Sequence, residues 1–308
     1  MVDSMINEEL EKVLFDAVSG SISPKTIFIV GAPRTGSTIL YQLMISSFGL
    51  PFFSNITNEL YSKTPIIGLA VQHGLSIGIK TENAYGKTVG EFQPSEGSAI
   101  LSEWFGGGHP SQDKSFEIIN GREHHFKQTL ATVEHLYSGV PLIIKNSWNC
   151  FRISYLAKAL PEAKFIWIRR DIVAASVSDL NARISTKESP YAWNSATPSN
   201  VNELKKLLPS EQVLENQYEF NEAINASLSE LDPSRKMEVW YEDLVLNSQY
   251  ESDRVSEFLN IDMLKNFSKL NFLSEISDKI PAMELAKMQD YVGRDFRFDR
   301  SKYIGNIG

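Results

Sequence analysis

The amino-acid sequence predicts an α/β fold with a mainly parallel central sheet flanked by helices. Short apolar runs rich in β-branched residues alternate with stretches of helical periodicity, as in sheets whose strands are joined by helical crossovers. A glycine-rich loop separates the first apolar run from the helical stretch after it. The predicted strands cover four segments: 26–31, 141–145, 164–169 and 236–241.

Helical patterns surround and separate these strands. The N-terminal stretch 4–17 carries apolar residues at helical spacing and ends near Gly20. Further helices are predicted over 37–48, 153–160, 172–178, 211–231 and 252–259. The carboxyl ends of parallel strands meet at one edge of the sheet, where open α/β folds bind ligands. We therefore expect four residues at strand ends to meet there: Gly31, Lys145, Arg170 and Tyr241.

Two long insertions interrupt this alternation, over residues 51–139 and 183–234. Insertions at the ligand end of an α/β sheet commonly form substrate pockets and lids. The chain shows no internal repeat, low-complexity run or interdomain linker. Residues 1–308 are therefore expected to form a single domain with helical and loop insertions.

Composition excludes several classes of function. The net charge of −8 argues against a general binder of nucleic acid or anionic membranes. The single cysteine, Cys150, cannot form an internal disulfide, which fits a reducing compartment. The first residues have no basic, apolar signal pattern, and no stretch approaches the ~20 apolar residues of a membrane span. We expect a cytoplasmic protein; the sequence carries no signal for an oligomeric state.

The most informative segment runs from Lys25 to Thr38. A buried strand, a glycine loop and a helix N-terminus follow one another, which is the geometry that holds phosphate groups. The spacing of the loop matches a Walker A motif except that serine replaces the lysine. The fold is therefore expected to be P-loop-like, with Arg34 as the cation of the loop. The predicted anion-binding residues here are Arg34, Thr35, Gly36, Ser37 and Thr38.

A second segment, 164–170, points to an anion held by protein charge. Its strand ends in Arg169 and Arg170, where an Mg²⁺-dependent P-loop NTPase would carry an aspartate. The planar guanidinium group suits a phosphate. Ser178 lies about two helical turns after Arg170, so its hydroxyl is expected to face the same anion. No metal site is predicted.

These segments together resemble the sulfotransferases that use 3′-phosphoadenosine 5′-phosphosulfate (PAPS). Five blocks carry the resemblance, and they span residues 25 to 308. They are the 5′-phosphosulfate loop 32–38, the Lys-Asn strand end 143–146, the 3′-phosphate pair Arg170 and Ser178, the Tyr-Glu-Asp-Leu segment 239–244, and the Gly-x-x-Gly loop within 302–308. The Asp/Lys-Trp pair that normally follows this last loop does not occur before Gly308.

The resemblance implies an enzyme that transfers a sulfuryl group from PAPS to a hydroxyl acceptor and releases 3′,5′-ADP, without a metal. Arg34 and Lys145 would neutralise charge on the transferring group. Tyr241 would contact the adenine or ribose, and Lys302 the 3′-phosphate. The insertions would form the acceptor site. Trp104, Phe105 and Trp193 are candidates for its lining, although aromatic residues more often belong to the hydrophobic core. The acceptor stays open between a glycan, a glycolipid and a small alcohol or phenol.

The acceptor hydroxyl needs a general base, and three residues are candidates. In the tyrosylprotein branch of the family a glutamate after the phosphosulfate helix has this role, which makes Glu59 the first candidate. Glu96 and His109 are the alternatives. His109 is included because cytosolic small-molecule enzymes of the family use a histidine in this role. The adjacent pair His124 and His125 lacks the spacing of a metal site.

Two other functions remain as alternatives. A P-loop kinase or GTPase is disfavoured by the missing Walker lysine and by the absence of a guanine-binding Asn-Lys-x-Asp motif. A non-catalytic protein that binds PAPS or 3′,5′-ADP would share the same motifs. Its signature would be nucleotide binding without turnover.

Overall fold

The fold is that of a computed structural model. It describes residues 2–18, 23–75, 77–80, 83–84, 87–106, 117–193, 196–267 and 280–298. The predicted sites at His109 and Lys302, and the glycine loop up to Gly308, lie outside these ranges.

A four-stranded, all-parallel sheet forms the centre of the described structure, in the order β4-β1-β5-β6. These strands are β1 (Thr26–Val30), β4 (Leu142–Lys145), β5 (Lys164–Arg169) and β6 (Lys236–Trp240). A short antiparallel hairpin, β2 (Asn83–Ala84) and β3 (Lys87–Thr88), lies in the first insertion. All four predicted strands are present, and the predicted α/β fold is confirmed.

The helices pack around this sheet and fill the connections between its strands. In chain order they are α1 (Val2–Asp16), α2 (Ser37–Phe48), α3 (Asn55–Leu60), α4 (Pro65–His73), α5 (Ser98–Phe105), α6 (Glu123–Leu136), α7 (Ile153–Ala159), α8 (Ile172–Lys187), α9 (Val201–Leu204), α10 (Pro209–Ser229), α11 (Tyr241–Leu246), α12 (Ser248–Leu259) and α13 (Ala282–Arg294). Short 3₁₀ turns cover Ser147–Phe151, Pro233–Arg235 and Phe296–Phe298. Among the described helices, none is both long and apolar enough to cross a membrane.

Strand alternation sorts the core into two layers. On one face of the sheet, Phe28 and Phe165 stack with ring centroids 5.3 Å apart, in the layer that includes α5, α6, α7 and α10. On the other face, Ile29 and Ile166 pack against α2 and α12. Successive strand residues point to opposite faces, and both faces are covered by helices. Most positions of β1, β4 and β5 are therefore apolar, and these strands appear in the sequence as continuous hydrophobic runs.

The helix α8 is longer than the sequence suggested. It was predicted over 172–178 but continues to Lys187. Residue 183, where the second insertion was predicted to begin, therefore lies inside this helix. Buried residues such as Leu180 and Ala182 continue its packing face. The Asp171 carboxylate accepts a hydrogen bond from the Ala174 N–H at 2.7 Å and caps the start of the helix.

A buried ion pair within α8 is linked to α10 by a hydrogen bond. Arg183 Nη2 lies 3.2 Å from Asp179 Oδ2, and both side chains are fully buried. The Arg183 guanidinium also donates to Gln212 Oε1 at 2.9 Å and stacks on the ring of Trp193 at 4.4 Å. Burial raises the pKa of Asp179, while the positive charge of Arg183 opposes that rise. The pair therefore needs both partners to be tolerated in the interior.

We expect Arg183→Ala to lower the free energy of unfolding by about 3–5 kcal/mol, because Asp179 would remain buried without its counter-charge. Chemical denaturation followed by circular dichroism measures this change. Lys206→Ala is the control, since it breaks an exposed pair with Glu203 and should cost less than about 1 kcal/mol. Equal effects of the two substitutions would contradict the structural role of the buried pair.

Candidate functional site

The loop between β1 and α2 holds a strained and well-anchored conformation. Arg34 has a φ of 70° and Gly36 a φ of 91°, so both lie in the left-handed region that disfavours side chains. The Thr35 hydroxyl donates to the Ala32 carbonyl at 2.8 Å. From α10, Gln217 donates to the Pro33 carbonyl at 2.6 Å. The loop conformation is thus fixed by contacts within it and from a distant helix.

Two glycines let the loop approach its neighbours closely. A Cβ atom at Gly31 would lie 2.6 Å from the Ile168 carbonyl oxygen, and one at Gly36 would lie 2.5 Å from the Tyr241 ring. Below the loop, the Cys150 sulfur accepts from the Gly31 N–H at 3.3 Å. Its thiol in turn faces the Gly31 carbonyl oxygen at 3.3 Å. The loop therefore sits directly on β5, α11 and the turn after β4.

The cationic side chains converge beside this loop. Arg34 Nε donates to the Ser178 hydroxyl at 3.3 Å, and Arg170 Nη1 donates to the Arg34 carbonyl at 3.0 Å. The Arg170 guanidinium lies over the Tyr241 ring, 4.5 Å from its centroid. Arg170 Nε is buried and has no hydrogen-bond partner among the described residues. A buried N–H of this kind is a donor that an anionic ligand can satisfy.

A cavity of about 730 Å³ opens at this edge of the sheet. Its lining includes most of the site residues predicted from the sequence: Arg34, Gly36, Ser37, Thr38, Glu59, Glu96, Lys145, Arg170, Ser178 and Tyr241. Thr35 is an exception, because its side chain is buried under the loop. The expectation that β1, β4, β5 and β6 end at one shared site agrees with this placement.

Lys145 and Glu96 form an ion pair inside the cavity. The Lys145 ammonium contacts Glu96 Oε1, and the lysine is 5% exposed. The Asn146 amide donates to the Glu96 carbonyl at 3.0 Å and to the Ser98 hydroxyl at 3.2 Å. The Glu96 backbone is therefore tied to the end of β4, and its carboxylate is held in a defined position.

The segment before Glu96 is anchored as well. The Ser95 N–H donates to the Phe53 carbonyl at 2.7 Å, and the Tyr41 hydroxyl donates to the Ser95 carbonyl at 3.3 Å. Burial raises the pKa of Tyr41, with a smaller contribution from the charge of Glu96. Tyr41 thus stays a neutral hydrogen-bond donor in the cavity wall.

Glu59, the first candidate base from the sequence, lies in a different setting. It is near the end of α3, is exposed to solvent, and lines the rim of the cavity. Within the described part of the chain it makes no ion pair. Its carboxylate lacks the contacts that fix Glu96.

Three aromatic residues expected around the acceptor do not line the cavity. Trp104 and Phe105 are buried in the hydrophobic layer under α5 and α6, where Trp104 packs edge-on against Phe126. Trp193 stacks on Arg183 instead. The core alternative therefore holds for Trp104 and Phe105, because α5 turns its apolar face toward the core. Trp148 does line the cavity, and it was not predicted from the sequence.

The two neighbouring arginines at the end of β5 have separate roles. Arg169 pairs with Glu238 at 2.8 Å and stacks on the rings of Trp167 and Trp240 at 4.4 and 4.5 Å. It does not line the cavity, whereas Arg170 does. Side chains alternate along a strand, so Arg169 lies on the same face as Trp167. This alternation is the sequence signal that could have distinguished Arg169 from Arg170.

Within the described ranges, no three His, Cys, Asp or Glu side chains come together as a metal site. His125 belongs to a structural contact. Its Nδ1 accepts from Trp104 Nε1 at 2.9 Å, and its Nε2 lies 3.0 Å from Glu11 Oε2. These bonds tie α1 to α5 and α6.

Comparisons with known proteins agree with this architecture. A model described as "Sulfotransferase family" matches residues 24–265. The crystal structure of sulfotransferase STF1 from Mycobacterium tuberculosis H37Rv superposes with a TM-score of 0.56 at 13% identity, over 98% of this chain and 81% of that chain. This likeness shows a shared fold. No functionally curated protein matches the sequence significantly.

Two further solved structures are more distant in shape. Sulfotransferase STF9 from Mycobacterium avium has a TM-score of 0.48 at 16% identity, over 95% of this chain and 72% of that chain. The sulfotransferase domain from the curacin biosynthetic pathway has a TM-score of 0.44 at 17% identity, over 89% of this chain and 99% of that chain.

The thiol under the loop gives a direct test of the packing. Burial raises the pKa of Cys150 to about 12, so the reactive thiolate should be scarce in the folded protein. We expect the native protein to resist iodoacetamide at pH 8 and to react only on denaturation, as measured by mass spectrometry. Rapid labelling of native protein would contradict the buried position of Cys150 beneath Gly31.

Proposed function

Since the chain belongs to the sulfotransferase family, we propose that it transfers a sulfuryl group from PAPS to a hydroxyl acceptor and releases 3′,5′-ADP. One observation supports this function above all. A single cavity combines a glycine-containing loop and two arginines at one end with a lysine–glutamate pair at the other, in which the lysine is buried and the glutamate is partly exposed. The first set suits a nucleotide donor, and the second suits proton removal from an acceptor.

The donor fits the cationic end of the cavity. The N–H groups of the loop and the N-terminus of α2 would hold the 5′-phosphosulfate, together with Arg34. Arg170 and Ser178 would hold the 3′-phosphate, and the partnerless Nε of Arg170 supplies a donor for it. Tyr241, which packs on Gly36, would border the ribose or adenine. Lys302 keeps its proposed role at the 3′-phosphate.

Sulfuryl transfer is an in-line displacement at sulfur, and it requires stabilisation of the negative charge that develops on the leaving group. The bond between sulfur and the bridging phosphate oxygen breaks while a bond from sulfur to the acceptor oxygen forms. Negative charge develops on the leaving phosphate, where Arg34 and Lys145 would be the stabilising cations, while Arg170 is assigned to the 3′-phosphate. The loop contacts that fix Arg34 would hold it ready for this charge without reorganisation.

We assign the general base to Glu96 rather than to Glu59. Glu96 is fixed by Lys145 and Asn146, whereas Glu59 is exposed and unpaired in the described structure. A base must be held within hydrogen-bond reach of the proton that it removes. The acceptor proton would pass to the Glu96 carboxylate, which then no longer neutralises Lys145. The freed ammonium charge would be available to the leaving group.

Binding of 3′,5′-ADP tests the donor site. We expect binding in the presence of EDTA, and Arg170→Ala should weaken it by about 1.5–3 kcal/mol because a charge-assisted contact is lost. Ser178→Ala should cost about 1 kcal/mol. Arg169→Ala is the matched control, since that arginine does not line the cavity and should leave the Kd unchanged. Isothermal titration calorimetry measures all three.

Two outcomes would contradict this donor site. A strict requirement for Mg²⁺, or preference for ATP·Mg²⁺ over 3′,5′-ADP, would indicate a nucleoside-triphosphate enzyme. A larger effect of Ser178→Ala than of Arg170→Ala would mean that the 3′-phosphate lies elsewhere.

Turnover tests the base. Glu96→Gln retains the shape of the side chain but removes the proton acceptor, so turnover should fall by roughly 10²–10⁴-fold while 3′,5′-ADP still binds. Glu59→Gln is the matched control and should retain kcat. A loss of kcat in Glu59→Gln alone, with Glu96→Gln active, would return the role to Glu59.

A further inference from the structure

The cavity is divided by charge between its two ends. Arg34 and Arg170 lie at the end formed by the loop and β5. At the other end the described charged residues are Glu59, Glu96 and Lys145, and the lysine is already paired with Glu96. Among the described residues of this wall, Glu59 is therefore an uncompensated negative charge at the rim of the second end.

The remaining lining of the second end is mostly polar. It consists of amide and hydroxyl side chains, with Trp148, Pro94 and Ala196 as the apolar members. The polar residues are Asn55, Asn58, Thr88, Ser95, Ser98, Asn146 and Ser147.

We propose, as an extension of the sulfuryl-transfer function, that the acceptor is a polyhydroxylated compound without negative charge, and that Glu59 favours acceptors that carry an ammonium group. A sugar or sugar alcohol, or its amino derivative, has this chemistry. The inference rests on the proposed function, because it takes the second end of the cavity to be the acceptor site.

The hydrogen-bonding groups of the wall support a polyhydroxylated acceptor. The Asn58 Oδ1 accepts from the Ala99 N–H at 2.8 Å, which fixes the amide and leaves its NH₂ group for a ligand. Asn146 is held at both ends of its amide, because its Oδ1 accepts from the Trp148 N–H at 2.9 Å and its NH₂ group donates to Glu96 and Ser98. It therefore shapes the wall, while the Asn58 amide offers donors to a ligand. A flat hydrocarbon-rich acceptor would strip water from these groups without replacing its hydrogen bonds, which is unfavourable. Hydroxyl groups of the acceptor would replace them.

Electrostatics supports the absence of negative charge. The donor is itself a polyanion, and the cations Arg34 and Arg170 lie at its end of the cavity. An acidic acceptor would meet Glu59 at the rim and the donor charge inside, with no unpaired cation in the described acceptor wall. Like charges that face each other across a binding surface lower the affinity for the partner that carries them, which gives specificity. An ammonium group at the rim would instead be attracted by Glu59.

A charge reversal at Glu59 tests the inference. Sulfuryl transfer from labelled PAPS is measured for four acceptors: methyl glucoside, its 2-amino analogue, methyl glucuronide and p-nitrophenol. In the unaltered protein, kcat/KM should be highest for the amine, lower for the neutral sugar and lowest for the acid and the phenol. Glu59→Lys should shift the amine-to-acid ratio of kcat/KM toward the acid by about 10-fold or more, and added salt should reduce the shift.

The matched control is Glu230→Lys. This exposed carboxylate follows α10 and precedes β6, away from the carboxyl ends of the strands, and its reversal changes the net charge by the same amount. It should leave the amine-to-acid ratio unchanged. The shift in Glu59→Lys should appear mainly in KM, since Glu59 is placed outside the reacting groups.

Each contrary outcome is distinct. A preference for the acid or the phenol, or an unchanged ratio in Glu59→Lys, would overturn the acceptor assignment and leave sulfuryl transfer intact. An equal shift in Glu230→Lys would show a general charge effect and would also overturn it. No turnover of any acceptor, with 3′,5′-ADP still bound, would overturn both the transfer function and this inference.

Discussion

The parallel pairing of β1 with both β4 and β5 is the constraint on which the rest of the structure depends. It places three strand ends side by side, so that Arg34, Lys145 and Arg170 share one cavity although 136 residues separate Arg34 from Arg170. The same register sorts the core into its two layers. A slip by one residue would exchange Phe28 with Ile29 between the faces and would move the strand ends relative to one another. Core packing and site geometry are therefore fixed by the same hydrogen bonds.

The loop after β1 is held in part by two residues that do not line the cavity. Cys150 contacts Gly31 from below, and Gln217 holds Pro33 from α10. The Tyr241 ring packs so closely on Gly36 that a side chain could not fit. Such contacts keep donor groups in place before a ligand arrives, which is the condition for stabilising charge without reorganisation. The strained backbone at Arg34 is tolerated because these neighbours determine it.

Sequence patterns predicted the parts of this molecule that depend on local periodicity. The bounds of α2 and the four strands follow from runs of apolar residues, and the loop follows from glycine spacing. The role of Glu96 depends on tertiary contacts of an irregular segment, so no local pattern distinguished it from Glu59. Trp104 stayed open between the core and the pocket wall for a related reason, since an aromatic side chain has the same sequence signature in both. The sequence of α8 has no stop signal at residue 178, and the prediction nevertheless ended the helix there, which was too early.

The Lys145–Glu96 pair lies where the proposed donor and acceptor ends of the cavity meet. The Lys145 side chain is buried whereas the Glu96 side chain is partly exposed, and such an ion pair contributes little net stability because desolvation of the lysine offsets most of the attraction. Its presence is better explained by the proposed reaction. While Glu96 is charged, Lys145 is neutralised and the cavity carries no excess of positive charge at this point. Once Glu96 takes the acceptor proton, the ammonium of Lys145 loses its partner as negative charge develops on the leaving phosphate. Proton removal and charge stabilisation would then be coupled through a single contact.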